Sequence, residues 1–161
     1  MGVLKGLLRY RKGDATFPHG GGHKIIMHVC NNLGGWGAGF VVALSKRWKL
    51  PEQEYRKWFA GKQNFKLGET QFVFVQTDIT IANMLAQHGF RQHDEAPAVV
   101  DMKNLETCLE KVYRHAFENG STVHAPRIAS GLAGLKWEEV EPLIKKHLID
   151  KGIDVTIYDL T

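Results

Sequence analysis

A run of mostly apolar residues limits the fold more than any other feature of this sequence. Residues 24–30 read Lys-Ile-Ile-Met-His-Val-Cys, with no regular alternation between apolar and polar positions. A strand that is covered on both faces needs such a run, and such strands occur in sheets that lie between layers of helices. The run therefore predicts an α/β protein with a buried central sheet.

The rest of the chain alternates between strand and helix patterns. Apolar spacing predicts helices from Phe40 to before Pro51, from Pro51 to residue 59, from Asp101 as N-cap to Gly120 as stop, and over residues 138–151. Strands are predicted over residues 7–11, 24–30, 70–76, 79–85, 122–125 and 155–158. The predicted fold is a three-layer α/β/α sandwich with a mixed central sheet of about six strands.

Length and composition fit one ordinary domain. The chain has 161 residues, of which 43% are hydrophobic and 24% charged, so we expect one domain over residues 1–161. Because no run of about 18 apolar residues occurs, we expect neither a membrane span nor a membrane partner. Cys30 and Cys108 are too few for a disulfide scaffold, which favours a reducing, cytoplasmic location.

Two glycine-rich loops each follow a predicted strand. Residues 31–39 contain four glycines, and residues 129–134 contain two. Ligands of open α/β sheets bind beyond the carboxyl ends of the strands, where glycines let backbone N–H groups point into one concavity. Either loop alone could be a tight turn, but the two together favour a phosphate-binding cleft.

Neither loop matches the common nucleotide fingerprints. Phe40 stands where the third glycine of G-x-G-x-x-G would be if Gly35 and Gly37 began that motif, and no G-x-x-x-x-G-K-[ST] occurs. We therefore expect no bound cofactor. Glu138 and Glu139, in the first turn of the last helix, would repel an anion on that helix end, so a phosphate is expected in the loop itself.

Four ordered motifs carry a resemblance to a known family. They are Gly13-Asp14 after the first strand, residues 28–39, residues 126–137 without Ala129 and Ser130, and the terminal residues 155–160. In this order they resemble the macrodomains, in particular those that process ADP-ribose-1''-phosphate and the terminal ADP-ribose protein glycohydrolase-like branch. The resemblance covers nearly the whole chain. It implies a protein that binds ADP-ribose, or an ADP-ribosylated macromolecule, between the two loops and hydrolyses an ADP-ribosyl derivative.

The resemblance also implies a role for individual residues. Asp14 would accept a hydrogen bond from the adenine amino group, Tyr158 would pack near the adenine, and Asn31 and Asn32 would lie at the distal ribose. The two walls of the cleft would be Gly35, Trp36, Gly37 and Ala38 on one side and Ser130, Gly131, Leu132, Ala133 and Gly134 on the other. Asp14 could instead cap a turn, and Tyr158 could be a core edge. Trp36, an aromatic residue among glycines, has little local core to fill.

The chain departs from that branch where the branch has catalytic groups. The branch uses a lysine after the central strand and an aspartate in the second glycine loop. Asp78 and Ala133 stand at the matching places, and no lysine occurs between Gly68 and Val100, so a covalent lysine route is not expected. The prediction is hydrolysis by an oriented water, with His88 as the first candidate base and Asp78 as the second.

Several other roles are open at this stage. His28 and Cys30 lie in the apolar run and are expected to be structural. His19 and His23 offer too few ligands for zinc, so no metal is expected. A non-catalytic ADP-ribose reader is the main alternative to an enzyme. The net charge of +4 is too mild, and lacks the aromatic pattern, to predict sequence-specific nucleic-acid binding.

Overall fold

The structure is a computed structural model that describes residues 4–89, 99–130 and 134–161. Its strands are β1 (Leu8–Lys12), β2 (Lys24–Asn31), β3 (Thr70–Gln76), β4 (Ile79–His88), β5 (Val99–Val100), β6 (Thr122–Ala125) and β7 (Val155–Asp159). They form one sheet in the order β1-β7-β6-β2-β4-β3, with β5 paired to β4. All neighbours from β1 to β4 run parallel, whereas β3 and β5 run antiparallel to β4. The predicted mixed sheet is confirmed.

Helices cover both faces of this sheet. They are α1 (Phe40–Arg47), α2 (Leu50–Gly61), α3 (Met102–Asn119) and α4 (Trp137–His147). The α3 and α4 helices pack on one face, and α1 and α2 pack on the other face over β2, β4 and β3. The three-layer α/β/α arrangement is therefore confirmed. No helix among the described residues is long and apolar enough to cross a membrane.

The apolar residues of β2 pack into the cores on both faces of the sheet. Ile25 and Met27 belong to the core beneath α3 and α4, whereas Ile26 and Cys30 belong to the core beneath α1 and α2. Side chains of a strand alternate between the two faces, so an uninterrupted apolar run is what a strand with two covered faces requires.

The α3 helix begins and ends where the sequence predicts. The Asp101 side chain accepts a hydrogen bond from the Asn104 N–H, which satisfies one free donor of the first turn. Gly120 ends the helix in the left-handed conformation, with φ of 62°. The predicted apolar stripe is buried in full: Leu105, Cys108, Leu109, Val112 and Ala116.

Several elements differ from the prediction, among them an added strand, a longer β4 and a shorter last helix. The sheet has seven strands because β5 joins it, and a two-residue strand has no periodicity to detect. β4 continues beyond Leu85 to His88, since Gln87 and His88 pair with β5. The last helix ends at His147, and a separate 3₁₀ turn follows over Ile149–Lys151.

The parallel strands bring distant loops to one edge of the sheet, which we call the carboxyl edge. It is defined by the last residues of β1, β7, β6, β2 and β4: Lys12, Asp159, Ala125, Asn31 and His88. Both glycine-rich loops begin at this edge, immediately after β2 and β6.

Candidate functional site

The carboxyl edge presents an elongated row of loops. β2 and β6 are neighbours, so the two glycine-rich loops leave the sheet side by side. From β1 to β4 the row crosses four strand-to-strand steps, about 19 Å at about 4.8 Å per step. A row of this length suits a ligand that carries several groups in line, such as a base, a diphosphate and a sugar.

Asp14 stands at the β1 end of the row, where a local turn holds its carboxylate. Its Oδ1 accepts hydrogen bonds from the Thr16 N–H at 2.9 Å and the Thr16 hydroxyl at 2.8 Å. Within the described residues no group donates to the other oxygen, Oδ2. The carboxylate therefore does cap a turn, and the same turn leaves one oxygen able to accept a hydrogen bond from a ligand.

The Asn31 side chain organises the first glycine-rich loop from within. Its Oδ1 accepts from the N–H groups of Leu33 at 2.9 Å and Gly35 at 3.0 Å, and its Nδ2 donates to the Gly35 carbonyl at 2.9 Å. The position predicted to contact a distal ribose is thus used inside the protein, because a short amide readily bonds backbone groups a few residues on. Asn31 shapes the loop.

Tyr55 braces the same loop from α2. Its buried hydroxyl donates to the Asn31 carbonyl at 2.6 Å and accepts from the Gly34 N–H at 3.1 Å. Burial raises the pKa of Tyr55 above its ordinary value, so the phenol stays protonated. Sequence analysis missed this residue, because its partners lie in a loop that precedes the helix and no local pattern links them.

Gly34 is required where the loop passes α2. Its φ is 81°, and an added Cβ would lie 2.6 Å from a carbon of the Phe59 ring. Both the backbone conformation and the close approach of the ring demand a residue without a side chain.

The Trp36 side chain is turned away from the cleft, so only the backbone of this residue stays a predicted part of the wall. The residue is 6% exposed, and its ring packs 5.3 Å from the Tyr55 ring and 5.4 Å from the His28 ring, centroid to centroid. Its Nε1 donates to the Ser45 hydroxyl at 2.8 Å. The loop turns the indole inward, because α1 and α2 supply a core that the local sequence does not reveal.

Beyond Trp36 the loop presents free backbone donors. Gly37, Ala38 and Gly39 are exposed, and in the part of the chain that the structure describes nothing accepts a hydrogen bond from their N–H groups. α1 begins at the next residue, and no side chain caps its amino end. Free N–H groups ahead of a helix amino end form a site suited to an anion.

The second glycine-rich loop is closed at its base. Leu135 N–H donates to the Ala129 carbonyl at 3.3 Å, and the Ser130 hydroxyl donates to the Arg127 carbonyl at 2.8 Å. Gly134 is exposed, with φ of 97°. The predicted wall residues Gly131, Leu132 and Ala133 lie outside the described residues.

A bidentate ion pair joins this loop to the end of β7. The Arg127 guanidinium donates to the Asp159 carboxylate at 2.7 Å and 3.0 Å. Those hydrogen bonds lower the pKa of Asp159 and raise that of Arg127. The pair lies on the carboxyl edge, and sequence analysis did not link the two residues.

Asn32 and His88 meet at the opposite end of the row from Asp14. The Gly89 N–H donates to Asn32 Oδ1 at 2.9 Å, which identifies the amide oxygen and directs Nδ2 towards the ring. Nδ2 lies 3.0 Å from His88 Nδ1, so in this contact Nδ1 is the acceptor and Nε2 is the nitrogen that carries a proton. His88 therefore presents a hydrogen-bond donor at Nε2, which differs from the predicted general base.

Asp78 is at the wrong edge of the sheet for the predicted catalytic role. It precedes β4, and β4 runs parallel to β2, so Asp78 lies beside Lys24 at the start of both strands. Its carboxylate is 3.4 Å from the Lys24 ammonium and accepts a hydrogen bond from the Gln76 amide, and the pKa of Asp78 is lowered chiefly by the latter. His88 stands at the far end of β4, a strand of ten residues.

Tyr158 is a core residue and does not offer a ring face to an adenine. It is 5% exposed, and its hydroxyl accepts from the His19 N–H at 2.9 Å and lies 2.7 Å from His124 Nδ1. This outcome agrees with the alternative that Tyr158 is a core edge.

Comparison with known proteins identifies the family. No family model matches the chain. The solved structure of a macrodomain protein from Streptomyces coelicolor is 46% identical, with a TM-score of 0.84, over 94% of this chain and 98% of that one. The chain belongs to the macrodomain family.

Curated relatives of this macrodomain differ in length. The ADP-ribose 1''-phosphate phosphatase of Candida albicans is 29% identical, over 87% of this chain and 93% of that protein. The mouse chromodomain-helicase-DNA-binding protein 1-like is 31% identical over 94% of this chain, yet the match covers only 17% of that protein. This macrodomain thus spans about a sixth of that relative's length.

The remaining candidate side chains of the macrodomain are structural. His28 is buried, which lowers its pKa to about 4, and its Nε2 bonds Asn83 Oδ1 at 2.5 Å. Burial raises the pKa of the Cys30 thiol well above its ordinary value, so Cys30 is not an activated nucleophile. His23 bonds the hydroxyls of Ser121 and Thr80. Across residues 4–89, 99–130 and 134–161 no cluster of His, Cys, Asp or Glu could hold a metal ion.

Proposed function

We propose that this macrodomain, with residues 1–161 as one unit, binds ADP-ribose along the carboxyl edge. The observation that carries the proposal is the set of free N–H groups of Gly37, Ala38 and Gly39 ahead of α1. They belong to the loop that follows β2, a strand that lies between β1, which precedes Asp14, and β4, which ends at His88. Backbone donors at this position suit the diphosphate in the middle of the ligand.

The two ends of the row suit the two ends of ADP-ribose. Asp14 Oδ2 accepts a hydrogen bond from the exocyclic amino group of adenine, while Oδ1 stays in its turn. The distal ribose lies towards Asn32 and His88. Gly35 and the second loop, from Ser130 to Gly134, enclose the diphosphate. Gly131, Leu132 and Ala133 are proposed contacts of the diphosphate within that loop. The Arg127–Asp159 pair holds that loop at its base.

We further propose that the bound group is hydrolysed by water, as ADP-ribose 1''-phosphate or as an ADP-ribosylated macromolecule. The similarity to the phosphatase of Candida albicans, over nearly its whole length, supports this reaction class. Because Asn32 occupies Nδ1, His88 acts through its Nε2–H, which stabilises negative charge as it develops on an oxygen of the substrate.

A non-catalytic reader of ADP-ribosyl groups is the second candidate. The chain has no lysine between Gly68 and Val100 and carries Ala133 in the second loop, so the side chains used by the glycohydrolase-like branch are missing. A reader would bind ADP-ribose at the same row of loops without turnover.

Calorimetry and a substrate panel test these proposals together. ADP-ribose should bind saturably, and purified protein should release phosphate from ADP-ribose 1''-phosphate or ADP-ribose from a modified protein or nucleic acid. The His88→Ala variant should lose most turnover and keep binding. Absence of saturable binding would contradict the site, whereas binding without any turnover across the panel would establish the reader.

We propose a cytoplasmic location and no membrane or sequence-specific nucleic-acid partner. Both cysteines of the chain, Cys30 and Cys108, are free and buried. Such thiols persist without special protection in a reducing compartment, which supports the location. The partner is then ADP-ribose itself or a macromolecule that carries it.

A further inference from the structure

One half of a sheet face has no helix over it in the described part of the chain. α1 and α2 cover β2, β4 and β3, but the same face of β6, β7 and β1 is left to the loop over residues 14–23. Strand pairing places Arg9 beside Thr156, and Thr156 beside His124. The exposed side chains of this half-face are polar or basic, in contrast to the apolar half beneath the helices.

A cleft of about 480 Å³ lies between these strands and the loop. Its lining includes Arg9, Arg11, Thr122, His124 and Thr156 from the strands, and His19, Gly20 and Gly21 from the loop. Thr122 begins β6 and Asp154 precedes β7, so the cleft extends along the sheet face to the amino ends of these strands. The proposed ADP-ribose site lies beyond the carboxyl ends, and none of its described residues lines the cleft.

The cleft is rich in positive charge. Arg9 and Arg11 form no salt bridge with any residue in the described ranges, and they lie two positions apart on β1. Residues at that spacing point to the same face about 7 Å apart. One carboxylate, that of Asp154, also lines the cleft, and its Oδ1 accepts from the Leu7 N–H at 2.8 Å.

A chain of hydrogen bonds joins Tyr158, His124 and Thr122 beside the cleft. The Tyr158 hydroxyl accepts from the His19 N–H and lies 2.7 Å from His124 Nδ1, so it can donate to that nitrogen. His124 is 2% exposed, and its Nε2 lies 2.8 Å from the Thr122 hydroxyl, to which it donates in the tautomer with the proton on Nε2. In that tautomer Thr122 Oγ1 accepts from the ring, and its own O–H is left to donate to a ligand.

Burial keeps the His124 ring neutral. It lowers the pKa of His124 to about 4, with the positive charge of Lys24 contributing, so the ring is neutral at physiological pH. A neutral ring with one accepting and one donating nitrogen is what the chain of bonds requires.

We propose that this cleft is a second, independent ligand site that binds a phosphate monoester through Arg9, Arg11 and the Thr122 hydroxyl. Guanidinium groups bind phosphate oxygens with paired hydrogen bonds, and a neutral hydroxyl donor completes an anion site without adding charge. The loop at residues 19–21 borders the cleft, which favours a small phosphorylated molecule over a polymer. The proposal does not depend on ADP-ribose binding.

Backbone amide NMR, titrated with inorganic phosphate and with ribose 5-phosphate at constant ionic strength, tests the proposal. Both ligands should give saturable shifts at Arg9, Arg11, Gly20 and Gly21, with ADP-ribose absent or in excess. The double variant R9Q/R11Q should weaken binding at least about tenfold, since it removes charge-assisted hydrogen bonds. The matched control, K103Q/R114Q, removes the same charge from α3 on the opposite face and should leave binding unchanged.

A second pair of variants tests the hydroxyl without changing charge. Thr122→Val should weaken phosphate binding several-fold, and Thr122→Ser should retain it. Shifts that stay linear in phosphate, or an equal loss in both double variants, would overturn the proposal and leave the arginines as charges that protect the exposed edge strand β1. Saturable binding of a ten-nucleotide single-stranded DNA alone would also overturn it, in favour of a nucleic-acid surface.

Discussion

At the scale of single residues, buried histidines make the stability of this protein depend on pH. His28 and His124 are each 2% exposed, and burial lowers the pKa of each to about 4. Both rings are neutral and hydrogen-bonded in the folded protein. In the unfolded chain a histidine titrates near 6.5, so the unfolded state takes up more protons between these two values.

Acidification should therefore destabilise the fold in the window between pH 6.5 and 4. The contribution of each neutral ring is complete above the unfolded pKa and is lost as the pH falls, by about 2 kcal/mol per residue between pH 7 and pH 5. Urea unfolding at the two pH values measures this loss. His124→Gln should reduce the pH dependence, whereas Lys103→Gln, an exposed substitution that removes no buried histidine, should retain it; equal slopes in the two variants would contradict the account.

The Tyr55 hydroxyl is a second single group with a measurable effect. Tyr55→Phe leaves the Asn31 carbonyl and the Gly34 N–H without their buried partner, at a cost of about 1–3 kcal/mol in unfolding free energy. Tyr113→Phe is the control, because the Tyr113 hydroxyl has no hydrogen bond to any described residue. If both variants unfold at the same urea concentration as the wild type, the loop is not braced by this hydroxyl.

At the scale of elements, the first glycine-rich loop is held rigid by what lies beneath it. Asn31 bonds the loop from inside, and α2 contacts it through Tyr55 and Phe59. Donors that are fixed before a ligand arrives bind it more tightly, because less conformational freedom is lost on binding. The exposed N–H groups of residues 37–39 thus depend on buried contacts of residues 31–36.

Glycine substitutions separate these two parts of the loop. Gly34→Ala forces a side chain against the Phe59 ring at a positive φ, so unfolding free energy should fall by roughly 2 kcal/mol or more. Gly37→Ala is the matched control, since an added Cβ there meets nothing within 4 Å. Denaturant unfolding of the two variants should therefore differ clearly, and similar midpoints would show that α2 does not constrain the loop.

At the scale of the whole molecule, the sequence predicts elements better than it predicts which residues meet. The apolar run predicts β2, and the N-cap and stop residues predict α3; both elements are confirmed. Trp36 and Tyr158 are buried by partners from distant segments, so no local pattern places them inside. The sequence analysis assigned Asp78 to the catalytic site, but the parallel pairing of β2 and β4 shows that Asp78 lies at the opposite edge of the sheet.

The most direct test of the ADP-ribose site is a change of base preference at Asp14. Asp14→Asn keeps an oxygen that accepts from Thr16, but it replaces the second carboxylate oxygen with an NH2 group. Two hydrogen-bond donors, this NH2 and the amino group of adenine, would then face each other. Calorimetry with ADP-ribose and its inosine analogue, in wild type and variant, measures the effect. Wild type should prefer ADP-ribose, and Asp14→Asn should bind ADP-ribose at least about tenfold more weakly and lose or invert that preference. Unchanged affinity and preference in the variant would contradict the site proposed here.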